Sequence, residues 1–95
     1  MLVSTAEVAT TSASRYLQQL CKHFAHKLPV SFDATEGRID FPLGPVDLSA
    51  DASRLGLHVA AEDAERLAEL RDVVARHLVR FAFREDLAID WSTAA

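Results

Sequence analysis

Gly37-Arg38-Ile39-Asp40-Phe41-Pro42-Leu43-Gly44-Pro45-Val46-Asp47-Leu48-Ser49-Ala50-Asp51-Ala52-Ser53-Arg54-Leu55-Gly56-Leu57-His58-Val59 alternates apolar and polar side chains with period two. Ile39, Phe41 and Leu43 face one way, Arg38 and Asp40 the other. Val46 and Leu48 continue the pattern. Leu55, Leu57 and Val59 then face in while Arg54 and His58 face out. That is the signature of antiparallel strands with one buried face. Asp51-Ala52-Ser53 reads as a turn. Pro42 and Pro45 around Gly44 mark an edge, a bulge or a tight reversal. Upstream, Val30 and Phe32 oppose Ser31 and Asp33, and Ala34-Thr35-Glu36-Gly37 is predicted to turn, with Gly37 free to take positive φ.

Both flanks of this run switch to helical period. From Ala13 to Lys27, Ala13, Tyr16, Leu17, Leu20, Cys21 and Phe24 recur at three- and four-residue spacing, behind a possible Thr11 or Ser12 cap and ahead of the helix-stopping Pro29. From about Ala61 to Phe83, the stripe is Ala64, Leu67, Leu70, Val74, Leu78 and Phe81. Glu62, Asp63 and Glu65 open that helix and Arg76, Arg80 and Arg84 lie near its end, matching the helix dipole. Residues 2–10 suit a first strand, Leu87, Ile89 and Trp91 a last one, and Ser92 to Ala95 a frayed tail. The expected architecture is α+β: a two-layer sandwich with two helices on one face of a mainly antiparallel sheet, in the order β-α-β-β-β-β-α-β. Lys22-His23 before Asp33 echoes Arg76-His77 before Asp90. A pseudo-twofold repeat of two strand–helix–strand halves and a chance coincidence both account for it.

The chain has 95 residues, 49% hydrophobic and 25% charged, which fits one folded domain over 1–95. Ten basic against 14 acidic residues give a net charge of −4, a poor basis for nucleic-acid binding. No apolar run reaches the ~18 residues of a membrane span, and the start lacks the features of a secretory signal. A lone cysteine, Cys21, excludes an internal disulfide framework and points to a reducing cytoplasm. No glycine-rich phosphate loop, nucleophile elbow or zincin helix is present, and no cofactor is implied.

Charge is segregated. There is no Asp or Glu between Val8 and Phe32, where Arg15, Lys22 and Lys27 fall, nor between Val73 and Arg84, where Arg76, Arg80 and Arg84 fall. On a wheel of ~100° per residue, Tyr16, Gln19, His23 and Lys27 line one flank of the first apolar stripe, and Val73, His77, Arg80 and Arg84 the same-handed flank of the second. Helices packed side by side would bring these flanks to a groove suited to an anion, since Arg forks and Lys points bind carboxylate or phosphate. Dipole matching and surface solvation explain the same residues more simply. Cys21 lies roughly 160° from His23 on the wheel, so Cys21, His23 and His26 do not converge on one metal ion. Cys21 reads as a core thiol. Asp33, Asp40, Asp47 and Asp90 fall on the outward strand face beside Arg38, Arg54 and His58, where cross-strand ion pairs are ordinary.

The blocks Arg15 to Lys27, Gly37-Arg38-Ile39-Asp40-Phe41-Pro42 and Arg76 to Glu85, with Trp91, resemble a small bacterial family known as domain of unknown function 2218. The resemblance covers about Ala6 to Trp91. It carries no activity or catalytic residues. Similar domains accompany some siderophore-interacting, flavin-dependent ferric reductases, which hints at iron acquisition. The expected function is a non-catalytic binding module for a small anionic ligand at Tyr16, His23, Lys27, His77, Arg80 and Arg84. The alternative is a protein–protein interaction or oligomerisation module, a homodimer included. An enzyme using His23 or His77 as acid–base has no nucleophile or metal beside it in the sequence.

Overall fold

Strand pairing follows from the alternation, and register can be read off as rows across the sheet. A computed structural model describes residues 1–94. Its elements are β1 (Leu2–Ala9), α1 (Ala13–Phe24), β2 (Val30–Phe32), β3 (Glu36–Phe41), β4 (Gly44–Ala50), β5 (Arg54–Ala61), α2 (Ala64–Phe81) and β6 (Ser92–Ala94). They form one sheet in the order β2-β3-β4-β5-β1-β6, with every pairing antiparallel. One row joins Ser4, Val59, Val46, Ile39 and Val30, all facing the helices. The next joins Thr5, His58, Asp47, Arg38 and Ser31, all facing away. A one-residue slip would exchange the two rows, so the buried face enforces the register.

Both helices cover the apolar face. Leu17, Leu20 and Cys21 of α1 and Leu67, Leu70, Val74 and Leu78 of α2 are buried over Val8, Ile39, Val46, Leu55, Leu57 and Val59. Each fully buried Leu contributes about 1.5–3 kcal/mol. The chain enters α1 through Thr10, whose Oγ1 accepts from the Ser12 amide at 3.1 Å. It enters α2 through Asp63, whose carboxylate accepts from the Arg66 amide at 2.8 Å and caps the helix. Helix α1 joins β1 to β2 and α2 joins β5 to β6, so each links a central strand to an edge strand running in the same direction. The β3–β4 hairpin stands outside that strand–helix–strand relation.

Four expectations are corrected. Gly37 is not a turn residue. The turn is built by Asp33, whose Oδ1 accepts from the Thr35 and Glu36 amides, both at 2.8 Å, and the glycine with positive φ (153°) is Gly44. Helix α1 stops at Phe24, because the carbonyl of Phe24 accepts from both Lys27 (3.1 Å) and Leu28 (2.9 Å) as the chain tightens ahead of Pro29. Lys27 and Arg84 therefore lie in turns after the helices. Leu87 to Trp91 is irregular, its half-buried Leu87, Ile89 and Trp91 packing against the core without joining the sheet. The last strand is instead Ser92–Ala94, the segment expected to fray, paired with Val3–Thr5. Asp90 is consequently on no strand, and Ala95 lies outside the described residues.

Gly37 has a different task. A Cβ there would sit 2.8 Å from Cys21 Sγ and 3.3 Å from Leu17 Cδ2, so the missing side chain lets α1 settle on β3. Gly37→Ala is expected to cost about 1–3 kcal/mol in urea unfolding. Adding Cys21→Ala should recover part of that loss, because the sulfur is the closest obstacle. Strict additivity of the two substitutions would disprove the contact.

Candidate anion site on the helix face

The two helix flanks meet. His23, near the end of α1, and His77, in the last turns of α2, have ring centroids 5.1 Å apart. Phe81 approaches His23 at 5.6 Å and Phe24 approaches His77 at 4.9 Å, both edge-on. Phe24 also packs on Phe41 of β3 at 4.8 Å, which ties the ring cluster to the sheet. The Val73 carbonyl lies 2.7 Å from His77 Nδ1. A carbonyl only accepts, so the contact places a proton on Nδ1.

His23 is held below the ordinary histidine pKa. Partial burial among these rings is the main cause, followed by the positive neighbours His77, Arg80, His26 and Lys27. Each of these neighbours is a basic residue or a histidine. The unfolded chain takes up this proton first, so between the ordinary pKa of ~6.5 and the depressed folded value stability falls as pH falls. The ring is largely exposed, and solvent keeps that loss small.

Arg71 aside, which donates to Ser4 Oγ at 3.3 Å, ion pairing separates the basic residues into two sets. Arg38, Arg54, Arg66 and Arg76 each hold a carboxylate. Among the described residues, Arg15, Lys22, Lys27, Arg80 and Arg84 form no ion pair. All five come from the two acid-free stretches.

The six expected site residues fall into two neighbouring groups. His23, Lys27, His77 and Arg80 share the cationic ring cluster. Tyr16 and Arg84 instead line a shallow cleft of about 330 Å³ with Arg15, Gln19, Phe81 and Phe83. Phe81 belongs to both groups and is the wall between them. Tyr16 is buried, with 2% exposure, and its hydroxyl donates to Glu85 Oε2. Its pKa is raised first by that hydrogen bond, then by burial and the Glu85 charge, against an opposing pull from Arg15. Tyr16 thus presents its ring, not a free hydroxyl.

Glu85 and Phe83 were not singled out from the sequence. Thr10 Oγ1 also donates to Glu85, at 2.9 Å to Oε1 and 3.2 Å to Oε2. Glu85 therefore pins the turn after α2, with Phe83 and Arg84 on it, against the start of α1. The one local sign is that Glu85 is the first acid after the acid-free run.

The open sheet face holds a larger hollow, about 860 Å³. Its charges satisfy one another: Arg38 meets Asp40 at 3.1 Å and Asp47 at 3.5 Å, and Asp47 faces His58 at 4.0 Å. Of the carboxylates expected on the outward strand face, Asp47 pairs across strands and Asp40 pairs with Arg38 on its own strand, whereas Asp33 lies in the turn after β2. Among the described residues no helix is long and apolar enough to cross a membrane.

The two-layer fold is that of a bacterial family without an assigned activity. The chain belongs to it: the model of the uncharacterised bacterial family, domain of unknown function 2218, matches residues 5–92. A solved relative is PA4090 from Pseudomonas aeruginosa, determined by NMR. It is 39% identical, with a TM-score of 0.82 over 97% of this chain and 96% of that one. No curated protein matches.

Proposed function

We infer that the protein is a non-catalytic binding module that holds a small anionic ligand against the helix face, at His23, Lys27, His77 and Arg80. The carrying observation is the division of basic residues: five of the six cations on the two acid-free stretches lack ion pairs among the described residues, whereas the sixth, Arg76, and three cations elsewhere (Arg38, Arg54 and Arg66) hold a carboxylate. The His23 imidazole, 5.1 Å from that of His77, adds a second ring N–H donor when it is protonated. A multivalent carboxylate fits this set, and the family resemblance makes an iron chelate one such ligand.

The test is calorimetric titration with citrate and with ferric citrate. The Lys27→Ala/Arg80→Ala double variant should weaken binding at least about thirtyfold, with an unchanged circular dichroism spectrum. Equal affinity in the double variant sinks the reading. Affinity should also rise as pH falls through the histidine range. A bound anion stabilises the charged ring, so the complex takes up a proton that free protein, with its depressed His23 pKa, does not hold. His23→Gln should flatten that profile, and a profile with the opposite slope would contradict the role given to the ring.

A further inference from the structure

We propose that the cleft between Arg15 and Arg84 binds the planar ring and carboxylate of a small aromatic acid. This deepens the anion-binding reading and rests on it for the ligand's charge. The cleft is about 330 Å³, within the range of small-molecule sites. Arg15 and Gln19 reach it from α1, Phe83 and Arg84 from the turn after α2, with the Tyr16 ring as its buried wall.

Each guanidinium lies over an aromatic ring: Arg15 over Tyr16 at 5.8 Å from the centroid, Arg84 over Phe83 at 5.4 Å. A guanidinium placed over a ring keeps in-plane N–H edges, which are the groups that grip a carboxylate in pairs; Arg15 also hydrogen-bonds the Tyr16 hydroxyl. Phe83 is 78% exposed. An aliphatic anion would meet the charges and leave that ring in water, whereas an aromatic acid would cover it as well. The site is also held in advance of any ligand. Glu85 anchors the turn that carries Phe83 and Arg84 to Thr10 and Tyr16, so little ordering remains to be done on binding.

The test is a nitrogen-15 NMR titration with benzoate, acetate and citrate. Benzoate should shift the amides of Gln19, Phe83 and Arg84 and bind at least about fivefold more tightly than acetate. Phe83→Ala should weaken benzoate about fivefold or more and leave citrate affinity unchanged. Arg84→Ala should weaken benzoate about tenfold. Phe83 is on the surface, so its loss leaves the fold intact. Benzoate binding no better than acetate, or indifferent to Phe83→Ala, overturns the proposal. If citrate then still binds through Lys27 and Arg80, the broader anion reading survives that result. If benzoate binds as expected while citrate ignores Lys27→Ala/Arg80→Ala, the cleft stands and the histidine cluster is not an anion site. Silence from all three anions removes both.

Discussion

Gly44→Ala is expected to lower stability by about 3 kcal/mol or more, the largest effect of any single methyl group added to this protein. A Cβ at Gly44 would lie 1.9 Å from the Ala60 carbonyl oxygen, with φ at +153°. The obstacle is backbone of the neighbouring strand β5, so no side-chain rotation relieves it. β4 or β5 would have to move, and Val59 and Ala61 beside that carbonyl are fully buried. At about 4–8 °C per kcal/mol for a domain of this size, thermal unfolding should shift by more than ~12 °C. Gly56→Ala is the matched control. Its Cβ would meet Ser49 Oγ at 2.4 Å, the end of a short side chain on the open face, and a cost under about 1 kcal/mol is expected. Equal losses at the two sites would show that glycine itself, not the Ala60 carbonyl, is what the sheet requires.

Glu85→Ala should cost about 2–4 kcal/mol in urea unfolding. It removes the acceptor for the buried Tyr16 hydroxyl and for Thr10, which is 6% exposed. Glu85→Gln keeps one oxygen and should fall between the variant and the native protein. Tyr16→Phe should lessen the damage done by Glu85→Ala, because the donor left without a partner is then gone. A Glu85→Ala protein of native stability would mean that the turn after α2 is held by its backbone alone. The same substitution should weaken benzoate through the loosened Phe83–Arg84 turn.

How far the chain could be read without coordinates depends on the range of each interaction. Ile39, Val46, Leu48, Leu55, Leu57 and Val59 were legible as inward residues, because strand side chains alternate within a few positions. The Leu67, Leu70, Val74 and Leu78 stripe was legible for the same reason at helical period. Strand order was not, since β1 meets β5 and β6 only through the folded chain. The glycines illustrate the limit: Gly37 and Gly44 look alike in sequence, and what separates them is Cys21 above one and the Ala60 carbonyl beside the other. At the candidate site, His23 and His77 were visible as members of matching flanks, and the helix packing brings them to 5.1 Å. Tyr16 and Arg84 were visible too, yet they separate into the cleft because Phe81 stands between. Glu85 was hidden, as its partners Thr10 and Tyr16 sit at the other end of the chain.

The position of β1 also bears on the order in which the protein can assemble. β2 to β5 pair through successive hairpins, each closing over a few residues, whereas β1 lies opposite β5 with Val8 against Leu55 and Leu2 against Ala61. Loop closure of that length costs entropy before any pairing repays it. On the ribosome, β1 leaves the exit tunnel before β5 and waits for it. Until β5 emerges, its Val, Ala and Thr side chains have no partner strand. That interval is when a nascent-chain chaperone would find this segment, and the closing of β1 onto β5 is what ends it.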